Sequence, residues 1–280
     1  MARSWFITGT SSGFGRILTE EALAAGDRVV ATLRRPGALD DLKDAHGDRL
    51  DVVELEVSDM TAVRRAVDAA FASGRIDVVV SNAGYGLGGA AEEVSDEQVR
   101  AQVDTNLLGS IQVIRAALPH LRAQGGGRVV QLSSEGGLIS YPFFSLYHAT
   151  KWGIEGFVEA VAQEVASFGI EFTLVEPSAT NTNFATTSLN TAAPMPEYAD
   201  TPVGHVRRAI SGAETKWEFD DPRWMVRAIV ASVGESPAPR RMPMGIGTYE
   251  RVRDGLRERL EQVEAEADRS RGIGYRDGPS

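Results

Sequence analysis

The sequence of 280 residues contains no cysteine. This absence excludes disulfides, thiolate metal sites and cysteine nucleophiles, and it suits a reducing compartment. The four histidines, His46, His120, His148 and His205, show no close metal-ligand spacing, so we expect no metal site. The sequence also lacks a run of 18 apolar residues and a signal-peptide pattern, so we expect a soluble, cytoplasmic protein without a membrane partner.

Basic residues are fewer than acidic ones, and lysine is the scarcest of them. The chain has 39 acidic and 29 basic residues and a formal net charge of −10, so a nucleic-acid partner has no electrostatic support. Only three of the basic residues are lysines, Lys43, Lys151 and Lys216. Lys151 therefore stands out, because a compact ammonium differs from the planar guanidinium used elsewhere in the chain.

Lys151 lies four residues after Tyr147, in a stretch that follows a proline-containing loop and is predicted to be helical. At this spacing both side chains lie on one helix face, one turn apart. The ammonium favours the phenolate, so we expect the pKa of Tyr147 to lie below its ordinary value of about 10. Tyr147 is then a candidate general acid and base. The alternative is a surface tyrosine beside a solvated lysine.

Apolar runs alternate with helical periodicity along most of the chain. Strands are predicted over residues 4–8, 27–33, 50–57, 76–80, 127–132 and 170–176, with a last short strand near 241–242. A capping-box pattern at Ser95 and Gln98 opens a helix predicted to run to about His120. This alternation predicts an α/β fold of the Rossmann-like kind: a doubly wound, mostly parallel seven-stranded sheet with helices on both faces.

The C-terminal third departs from this alternation. Residues 178–219 are rich in threonine, asparagine, alanine and proline without strong periodicity, which indicates a substrate lid or a disordered segment. An amphipathic helix is predicted over 248–267, and residues 269–280 are expected to be frayed. We therefore predict one Rossmann-like domain over 1–247 that contains the lid, followed by a helical tail over 248–280.

The first strand and the first helix are joined by a glycine-rich turn, Gly9-Thr10-Ser11-Ser12-Gly13-Phe14-Gly15. Glycines permit a sharp turn and the close approach of a phosphate, which free N–H groups at the start of a helix can bind. At the end of the second strand, where the adenosine ribose of a dinucleotide is expected, the sequence has Arg34 and Arg35 and no carboxylate. We therefore expect NADP(H) rather than NAD(H), although a charged surface loop is an alternative.

Three further motifs follow in order along the chain. Asn82-Ala83-Gly84 follows the fourth strand, Asn106 lies within the long helix, and Ser134 stands thirteen residues before Tyr147. With the glycine turn and the Tyr147/Lys151 pair, these motifs resemble the single-domain short-chain dehydrogenase/reductases over roughly residues 4–247. The chain looks most like members that act with NADP(H) on hydroxysteroids and other hydrophobic alcohols or ketones.

The resemblance implies a reversible hydride transfer between NADP(H) and a secondary alcohol or a carbonyl compound. Tyr147 would exchange the proton and Ser134 would hold the substrate oxygen. Lys151 would lower the pKa of Tyr147 and bind the nicotinamide ribose, and Asn106 would hold a water that connects Lys151 to solvent. Contacts with the cofactor are implied for Gly9, Ser11, Ser12, Gly13, Phe14, Gly15, Arg34, Arg35, Glu56, Val57, Asn82, Ala83, Gly84, Tyr147, Lys151, Pro177, Thr180 and Thr182.

Three positions depart from the family pattern: Phe14 in the glycine turn, Glu56 where an aspartate often lies near the adenine, and Ser178 where a glycine usually follows the sixth strand. Ser178 lacks the freedom of glycine at positive φ, so the local geometry or the cofactor affinity could differ. An apolar substrate pocket is predicted from residues that could equally pack the lid down: Phe143, Phe144, Leu146, Leu189 and Met195.

Two other functions remain open. An epimerase or dehydratase of nucleotide sugars can use the same Tyr-x-x-x-Lys pair, but such enzymes usually show a Gly-x-x-Gly-x-x-Gly turn and a larger substrate domain. A cofactor-binding regulator without turnover would be expected to lack one of the catalytic residues Asn106, Ser134, Tyr147 or Lys151, and all four are present. The resemblance also implies a homodimer or homotetramer paired through the helices that carry Asn106 and Tyr147.

Overall fold

The computed structural model describes residues 2–180, 188–212 and 220–273, in which strands and helices alternate. The strands are β1 Ser4–Thr8, β2 Arg28–Leu33, β3 Leu50–Glu54, β4 Val78–Ser81, β5 Gly86–Gly88, β6 Gly127–Leu132, β7 Ile170–Pro177, β8 Leu189–Thr191 and β9 Arg241–Met244. The α-helices are α1 Gly13–Ala24, α2 Asp40–His46, α3 Met60–Ala72, α4 Asp96–Val103, α5 Ser110–Ala123, α6 Ser145–Glu164, α7 Pro202–Ile210, α8 Pro222–Ser232, α9 Thr248–Ala265 and α10 Ala267–Ile273.

Seven of these strands form one sheet in the order β3-β2-β1-β4-β6-β7-β9. Every pair in it is parallel, and Phe6 of β1 lies between Val30 of β2 and Val79 of β4. The predicted doubly wound α/β fold is therefore confirmed, with a sheet that is wholly parallel. The strand order reverses between β1 and β4, and ligands of open α/β sheets bind outside the carboxyl ends of the strands at such a point.

The two faces of the sheet are covered by two separate apolar cores. Phe6 and Val79 belong to the core under α3, α5 and α6, whereas Trp5 and Ile7 belong to the core under α1 and α8. Successive side chains of a strand point to opposite faces, so the continuous apolar run of β1 serves both cores. Burial on both faces leaves the ends of the strands as the places where polar groups collect.

Two of the predicted helix starts, those of α4 and α8, are stabilised by side-chain caps. Ser95 accepts a hydrogen bond from the backbone N–H of Gln98, whose side chain accepts from the backbone N–H of Ser95, completing the capping box of α4. Asp221 caps α8 by accepting from the backbone N–H of Arg223 at 2.8 Å, and Pro222 is the first helical residue. Both helices begin where the sequence predicts.

The long helix predicted from Ser95 to about His120 is not α-helical throughout. A π-helical turn, Asp104–Gly109, joins α4 to α5. At the end of this turn a Cβ on Gly109 would lie 3.0 Å from the backbone oxygen of Val57, so the helix approaches the loop after β3 closely. Turns of this kind inside α-helices often mark functional sites. Here it carries the candidate residue Asn106.

The described parts of the segment 178–219 have regular structure. Strand β8 pairs with β5 in a small parallel two-stranded sheet that the sequence does not predict. Helix α7 is attached by Arg207, whose Nη2 lies 2.5 Å from Oε2 of the fully buried Glu93 and whose guanidinium lies 5.5 Å from the centroid of the Phe143 ring. The disordered alternative is therefore wrong for residues 188–212. A lid function remains a prediction.

The C-terminal segment is helical as far as residue 273, although the sequence predicts fraying from residue 269. Val252 of the predicted apolar stripe is buried, whereas Leu256 and Leu260 are 43% and 57% exposed. The buried part of α9 is therefore its first part, and further along the guanidinium of Arg259 lies 3.9 Å from the centroid of the Trp152 ring of α6. The division into a domain over 1–247 and a tail over 248–280 stays a prediction.

Candidate active site

A cavity of about 1320 Å³ lies outside the carboxyl ends of the central strands. Sites for one small ligand typically measure roughly 300–1,000 Å³, so this cavity has room for a cofactor together with a substrate. Gly15 and Arg35 do not line it, and Thr182 lies outside the described residues. The other predicted cofactor contacts do line it: Gly9, Ser11, Ser12, Gly13, Phe14, Arg34, Glu56, Val57, Asn82, Ala83, Gly84, Tyr147, Lys151, Pro177 and Thr180.

The glycine turn between β1 and α1 is packed too closely for side chains. Gly9 has a φ of 71°, and a Cβ on it would lie 2.7 Å from the Cα of Ala83. A Cβ on Gly15 would lie 2.3 Å from the backbone oxygen of Gly9, so Gly15 shapes the turn without lining the cavity. The side chain of Ser12 does not cap α1, and the first turn of α1 has no acidic residue. Its N–H groups therefore remain available to an anion in the cavity.

Asn82 joins the ends of the two central strands. Its Nδ2 donates to the backbone oxygens of Thr8 and Gly9 at 2.8 and 3.1 Å. In return, Oγ1 of Thr8 accepts from the backbone N–H groups of Asn82 and Ala83 at 3.0 and 3.1 Å. This reciprocal network of neutral groups holds the glycine turn against the loop after β4. Asn82 is thus a structural support of the site as well as part of its wall.

Arg34 lies at the entrance of the cavity, after β2. Its Nη1 is 3.8 Å from Oε2 of Glu56, and the two side chains are 76% and 43% exposed. An exposed pair at this distance contributes little to stability, so the guanidinium can turn toward another anion at small cost. Arg35 is exposed and does not reach the cavity.

Helix α6 brings Tyr147 and Lys151 to the loop that follows β6. The phenol of Tyr147 is hydrogen-bonded to the side chain of Ser134. Nζ of Lys151 donates to the backbone oxygen of Leu132 at 2.8 Å and lies 5.6 Å from the centroid of the Tyr147 ring. The spacing of four residues therefore places both groups on one face, as the sequence predicts. Ser134 lies beside them and lines the same cavity.

The structure also distinguishes the two adjacent serines. Oγ of Ser133 donates to Oε1 of Glu155, which lies one further turn along α6 from Lys151. Glu155 is buried and also accepts from Nη1 of Arg241 at 2.7 Å. The hydroxyl of Ser133 is thus committed to a buried carboxylate, whereas that of Ser134 is hydrogen-bonded to the phenol. This geometry supports the choice of Ser134 as the substrate-binding serine.

The expected lowering of the pKa of Tyr147 is wrong for this structure. Burial raises the pKa of Tyr147 to about 12, the hydrogen bond with Ser134 lowers it, and the charge of Glu135 raises it further. Lys151 does not offset these effects because its ammonium lies 5.6 Å from the ring centroid and is bonded to a backbone oxygen. Spacing along a helix indicates which charges are neighbours, but burial depends on the whole fold.

The two titratable neighbours of Tyr147 on α6 are buried as well. Burial lowers the pKa of Lys151 to about 8, and the charge of Glu155 raises it in part. Burial also lowers the pKa of His148 to about 4, so this imidazole is neutral near pH 7. Nδ1 of His148 accepts from the backbone N–H of Tyr141 at 3.2 Å. His148 therefore supports the loop 138–144 rather than supplying charge.

Asn106 is buried, and both polar atoms of its side-chain amide are hydrogen-bonded to the backbone of Tyr85. Its Oδ1 accepts from the N–H of Tyr85 at 3.0 Å, and its Nδ2 donates to the carbonyl of Tyr85 at 2.8 Å. Nε2 of Gln102 donates to the same carbonyl at 3.1 Å. Tyr85 lines the cavity although Asn106 does not. The structure thus places Asn106 behind the wall that contains Tyr85.

The predicted apolar pocket residues divide into two groups. Phe144 and Leu189 line the cavity, whereas Phe143, Leu146 and Met195 do not. Phe143 is buried against Arg207 of α7. Packing against α7 is therefore seen for Phe143, whereas an apolar substrate pocket around Phe144 and Leu189 stays a prediction. Val206 and Ile210 of α7 and Ile246 after β9 also line the cavity, and the sequence does not identify them.

Ser178 adopts a backbone conformation that a serine accepts. Among the described residues, Phe143 is the only residue other than glycine with a positive φ, at 79°. Oγ of Ser178 donates to Oδ2 of Asp220 at 2.6 Å, and its N–H donates to the backbone oxygen of Met244 at 2.8 Å. Ser178 therefore connects the end of β7 to the segment before α8 and to the last residue of β9.

Three polar residues at the substrate side escape prediction from the sequence. Glu135, Tyr141 and Arg251 line the cavity and are joined by hydrogen bonds. The position of Glu135 directly after Ser134 is a usable signal, because neighbours of a catalytic residue share its loop. Nothing local marks Arg251, which lies 116 positions further along the chain.

Neither a metal centre nor a membrane span occurs in the part of the chain that the structure describes. Over residues 2–180, 188–212 and 220–273, no cluster of three histidine, aspartate or glutamate residues has the geometry to hold a metal ion. Within the same ranges, no helix is both long and apolar enough to cross a membrane.

Known proteins share this sequence and fold. The short chain dehydrogenase family matches residues 4–193. Oxidoreductase BOA17 of Botryotinia fuckeliana is 38% identical over 247 residues, which cover 88% of this chain and 89% of that protein. A short-chain dehydrogenase from Streptomyces avermitilis superposes with a TM-score of 0.90 at 36% identity, covering 98% of this chain and 100% of that one.

A more distant structure, that of an actinorhodin polyketide ketoreductase with NADPH, has a TM-score of 0.73 at 25% identity and covers 88% of this chain and 97% of that one. The family match spans more than half of the sequence, and the Botryotinia relative is matched over nearly its whole length. The protein is therefore an oxidoreductase, and the chain belongs to the short-chain dehydrogenase/reductase family.

Proposed function

We propose that the protein interconverts a secondary alcohol and a ketone or aldehyde with NADP(H) as the redox partner. The observation that carries this proposal is the arrangement of Tyr147, Ser134 and Lys151 on one cavity with the glycine turn. A phenol, a hydroxyl and an ammonium around one point suit proton transfer to and from a substrate oxygen.

The residues of the glycine turn fit a dinucleotide. Gly9 and Gly15 keep the turn free of side chains, and the uncapped start of α1 offers N–H groups to a phosphate. When bound, the nicotinamide supplies or accepts the hydride, and the protein provides orientation and proton transfer.

Tyr147 is the proposed proton donor in carbonyl reduction. With a pKa of about 12 its phenol is protonated near pH 7, so it can donate to the oxygen of the substrate as negative charge develops there. Ser134, already hydrogen-bonded to the phenol, would donate to the same oxygen and stabilise this charge. Lys151 would bind the nicotinamide ribose, and below its pKa of about 8 it is mainly charged. This protonation state favours reduction over oxidation.

Asn106 has a proposed positioning role through Tyr85. Because both ends of its side chain bind the backbone of Tyr85, it holds the loop that follows Gly84 and thereby shapes the middle of the cavity. A relay water that connects Lys151 to solvent stays a prediction.

The preference for NADP(H) over NAD(H) rests on the end of β2. No carboxylate is present there to accept from a ribose hydroxyl, and Arg34 is exposed beside the cavity with only a weak contact to Glu56. An exposed guanidinium can pair with a ribose 2′-phosphate through two hydrogen bonds. The ketoreductase structure with NADPH is consistent with this preference. Initial rates with NADPH and NADH in parallel test it, and a faster rate with NADH would contradict it.

A hydrophobic substrate fits the opposite end of the cavity. Its apolar wall combines side chains from the loop before α6, from the lid and from the segment after β9. Few polar groups with precise positions inside an apolar wall are typical of sites for small hydrophobic molecules. The apolar residues of this wall are Phe144, Leu189, Val206, Ile210 and Ile246.

Replacement of Tyr147 by phenylalanine tests the assignment. We expect Tyr147→Phe to lower kcat for ketone reduction by about 10²–10⁴-fold, because the proton donor is lost. NADPH binding, followed by its fluorescence, should change little, because the phenol is not needed to hold the phosphates. Turnover at the wild-type rate in this variant would refute the proposed role.

The same assay separates the remaining alternatives. Loss of NADPH absorbance with a panel of hydrophobic ketones is expected for a carbonyl reductase. An epimerase or a dehydratase would instead convert nucleotide sugars without net loss of NADPH, and a regulator would bind NADPH without turnover. Either of these results in place of ketone reduction would contradict the proposal.

A homodimer or homotetramer in the cytoplasm is part of the proposal. Leu108 and Trp152, on the π-helical turn before α5 and on α6, are 41% and 39% exposed. Their exposure supports pairing through these helices, where a second copy would cover them. Light scattering of the full-length protein should give at least twice the monomer mass, and a monomer at every concentration would contradict pairing.

A further inference from the structure

The C-terminal helix α9 forms part of the cavity wall, although it lies beyond the residues matched by the family. Thr248 and Val252 in the first part of the helix are buried. A Cβ on Gly255 would lie 2.5 Å from Cγ2 of Ile139, so the helix lies tightly against the loop before α6. Arg251, on the same part of the helix, lines the cavity.

Most N–H donors of the Arg251 guanidinium are engaged by groups around the cavity. Its Nε and Nη2 donate to Oε2 of Glu135 at 3.1 and 2.7 Å. Its Nη1 donates to the backbone oxygen of Ile246 at 3.0 Å, and Nη2 lies 3.3 Å from Oγ1 of Thr248. One side chain thus ties the start of α9, the segment after β9 and the loop after β6 together. Because most of its donors are used, Arg251 is not a free receptor for a substrate anion.

Glu135 connects this arginine to the reaction centre. It directly follows Ser134, is only 8% exposed, and accepts from the phenol of Tyr141 at 3.2 Å through Oε1. Its charge is one of the causes that raise the pKa of Tyr147. A carboxylate at this place opposes the negative charge that develops on a substrate oxygen during reduction, so its neutralisation by Arg251 aids the reaction.

The charges and titratable groups that face Tyr147 come from three parts of the chain. Helix α6 contributes an ammonium and a neutral imidazole, the loop after β6 contributes a carboxylate and a phenol, and α9 contributes a guanidinium. In the same order these groups belong to Lys151, His148, Glu135, Tyr141 and Arg251; the last two reach Tyr147 through their hydrogen bonds to Glu135.

We propose that Arg251 is a positioning residue of the active site, which acts through Glu135 on Ser134 and Tyr147 and closes the substrate end of the cavity. The proposal rests on the proposed carbonyl reduction for its kinetic readout. It implies that the C-terminal helix is part of the active site and takes part in the choice of substrate. A purely structural attachment of α9 would not influence the ionisation of Tyr147.

The first test compares single and double variants in the full-length protein. We expect Arg251→Ala to lower kcat about tenfold and to raise KM for the ketone, because Glu135 is left as an uncompensated carboxylate beside the reacting oxygen. The double variant Arg251→Ala/Glu135→Gln should regain most of the lost kcat. The matched control is Arg257→Ala on the exposed face of the same helix. The side chain of Arg257 is 67% exposed, so this variant should behave as wild type.

The second test measures the ionisation of Tyr147 directly and does not need turnover. The ultraviolet absorbance of phenolate is followed against pH for wild type and each variant. From each curve we subtract that of the same protein carrying Tyr147→Phe in addition, because Glu135 and Arg251 also act on the phenol of Tyr141. At about pH 12, near the pKa of Tyr147, we expect more phenolate than in wild type for Glu135→Gln and less for Arg251→Ala. The two variants break the same ion pair, so opposite shifts identify a charge effect. Arg251→Lys should restore the ionisation but not KM, because a point charge lacks the fork of donors.

Shifts of equal sign in the two variants, or no shift in either, would overturn the proposal. A double variant as slow as Arg251→Ala would overturn it as well. If Tyr147→Phe retains full turnover, the proposed function fails, yet the absorbance test still decides whether Arg251 and Glu135 act on Tyr147. The two failures are therefore distinguishable.

Discussion

The two ends of the active-site cavity are held by different kinds of interaction. At the cofactor end, the glycine turn and the loop after β4 are joined by neutral hydrogen bonds of Thr8 and Asn82. Close backbone contacts at Gly9 and Gly15 complete this end. Every group involved comes from the first 84 residues and lies at the end of β1, in the first turn of α1 or directly after β4.

At the substrate end, segments from the C-terminal third are attached by arginine–glutamate ion pairs. Each pair joins a late arginine to a glutamate that belongs to an earlier element and is largely buried. The pairs are Arg207 with Glu93, Arg241 with Glu155 and Glu176, and Arg251 with Glu135.

This difference predicts how the two ends respond to their surroundings. Neutral hydrogen bonds between backbone and amide groups do not titrate, so the stability of the cofactor end should be nearly independent of pH. Buried ion pairs depend on the charge state of both partners, and loss of one partner leaves an uncompensated charge. The substrate end should therefore be the part that charge substitutions disturb most.

The largest effect is expected for Arg241→Ala. Its Nη1 binds Oε2 of Glu155 at 2.7 Å and also binds Glu176, and both carboxylates are almost completely buried. Removal of the guanidinium should lower the free energy of unfolding by about 3–5 kcal/mol, measured by urea denaturation. Arg240→Ala, at the exposed neighbouring position, is the control and should cost less than about 0.5 kcal/mol. Equal costs for the two variants would contradict the importance of these pairs.

A smaller loss of stability, confined to the cofactor end, is expected for Gly15→Ala. The added methyl would lie 2.3 Å from the backbone oxygen of Gly9, so the turn has to shift, at a cost of about 1–3 kcal/mol. NADPH binding, measured by fluorescence titration, should weaken strongly because the phosphate cradle is displaced. Gly156→Ala on α6 is the matched control, because no heavy atom lies within 4 Å of its new Cβ. That change should stabilise the helix slightly, and weakened NADPH binding there would contradict the assignment.

The smallest effect concerns Glu176 and the pH dependence of stability. Burial first, and then the charge of Glu155, raise its pKa from 4.5 to about 7, and Oε2 has no hydrogen-bond partner among the described residues. Between these pH values the folded state holds a proton that the unfolded state has lost, so stability falls as pH rises from about 4.5 to about 7. The slope is at most about 1.4 kcal/mol per pH unit.

Glu176→Gln should remove this part of the pH dependence. The variant is expected to gain stability relative to wild type as pH rises through the window, by at most about 1.4 kcal/mol for each pH unit, measured by thermal unfolding at several pH values. His148, whose lowered pKa makes stability rise with pH over part of this window, is present in both proteins and cancels in the difference. A constant difference between the two proteins from pH 4.5 to 7 would show that Glu176 does not titrate there.

Much of the fold and of the cofactor end could be predicted from the sequence because their signals are local. The apolar run of β1, the glycine turn and the start of α1 are adjacent in the chain, and Tyr147 and Lys151 lie one helical turn apart. The capping residues Ser95 and Asp221 mark helix starts within three residues of themselves. These signals do not depend on the rest of the fold.

The substrate end was less predictable because its contacts are remote in sequence. Arg251 and Glu135 are separated by 116 positions, Arg207 and Glu93 by 114, and no local pattern marks either pair. The π-helical turn around Asn106 also escapes prediction, since its residues have ordinary helical periodicity.

The sequence by itself determined the α/β order of elements, the family, and the identity of the residues proposed for proton transfer, because each depends on neighbours a few positions apart. Tertiary structure alone decided the charge state at the reaction centre. Spacing indicates a lowered pKa for Tyr147, but burial and Glu135 raise it to about 12. The physical reason is that desolvation depends on every segment packed around a group, however remote that segment is in the sequence.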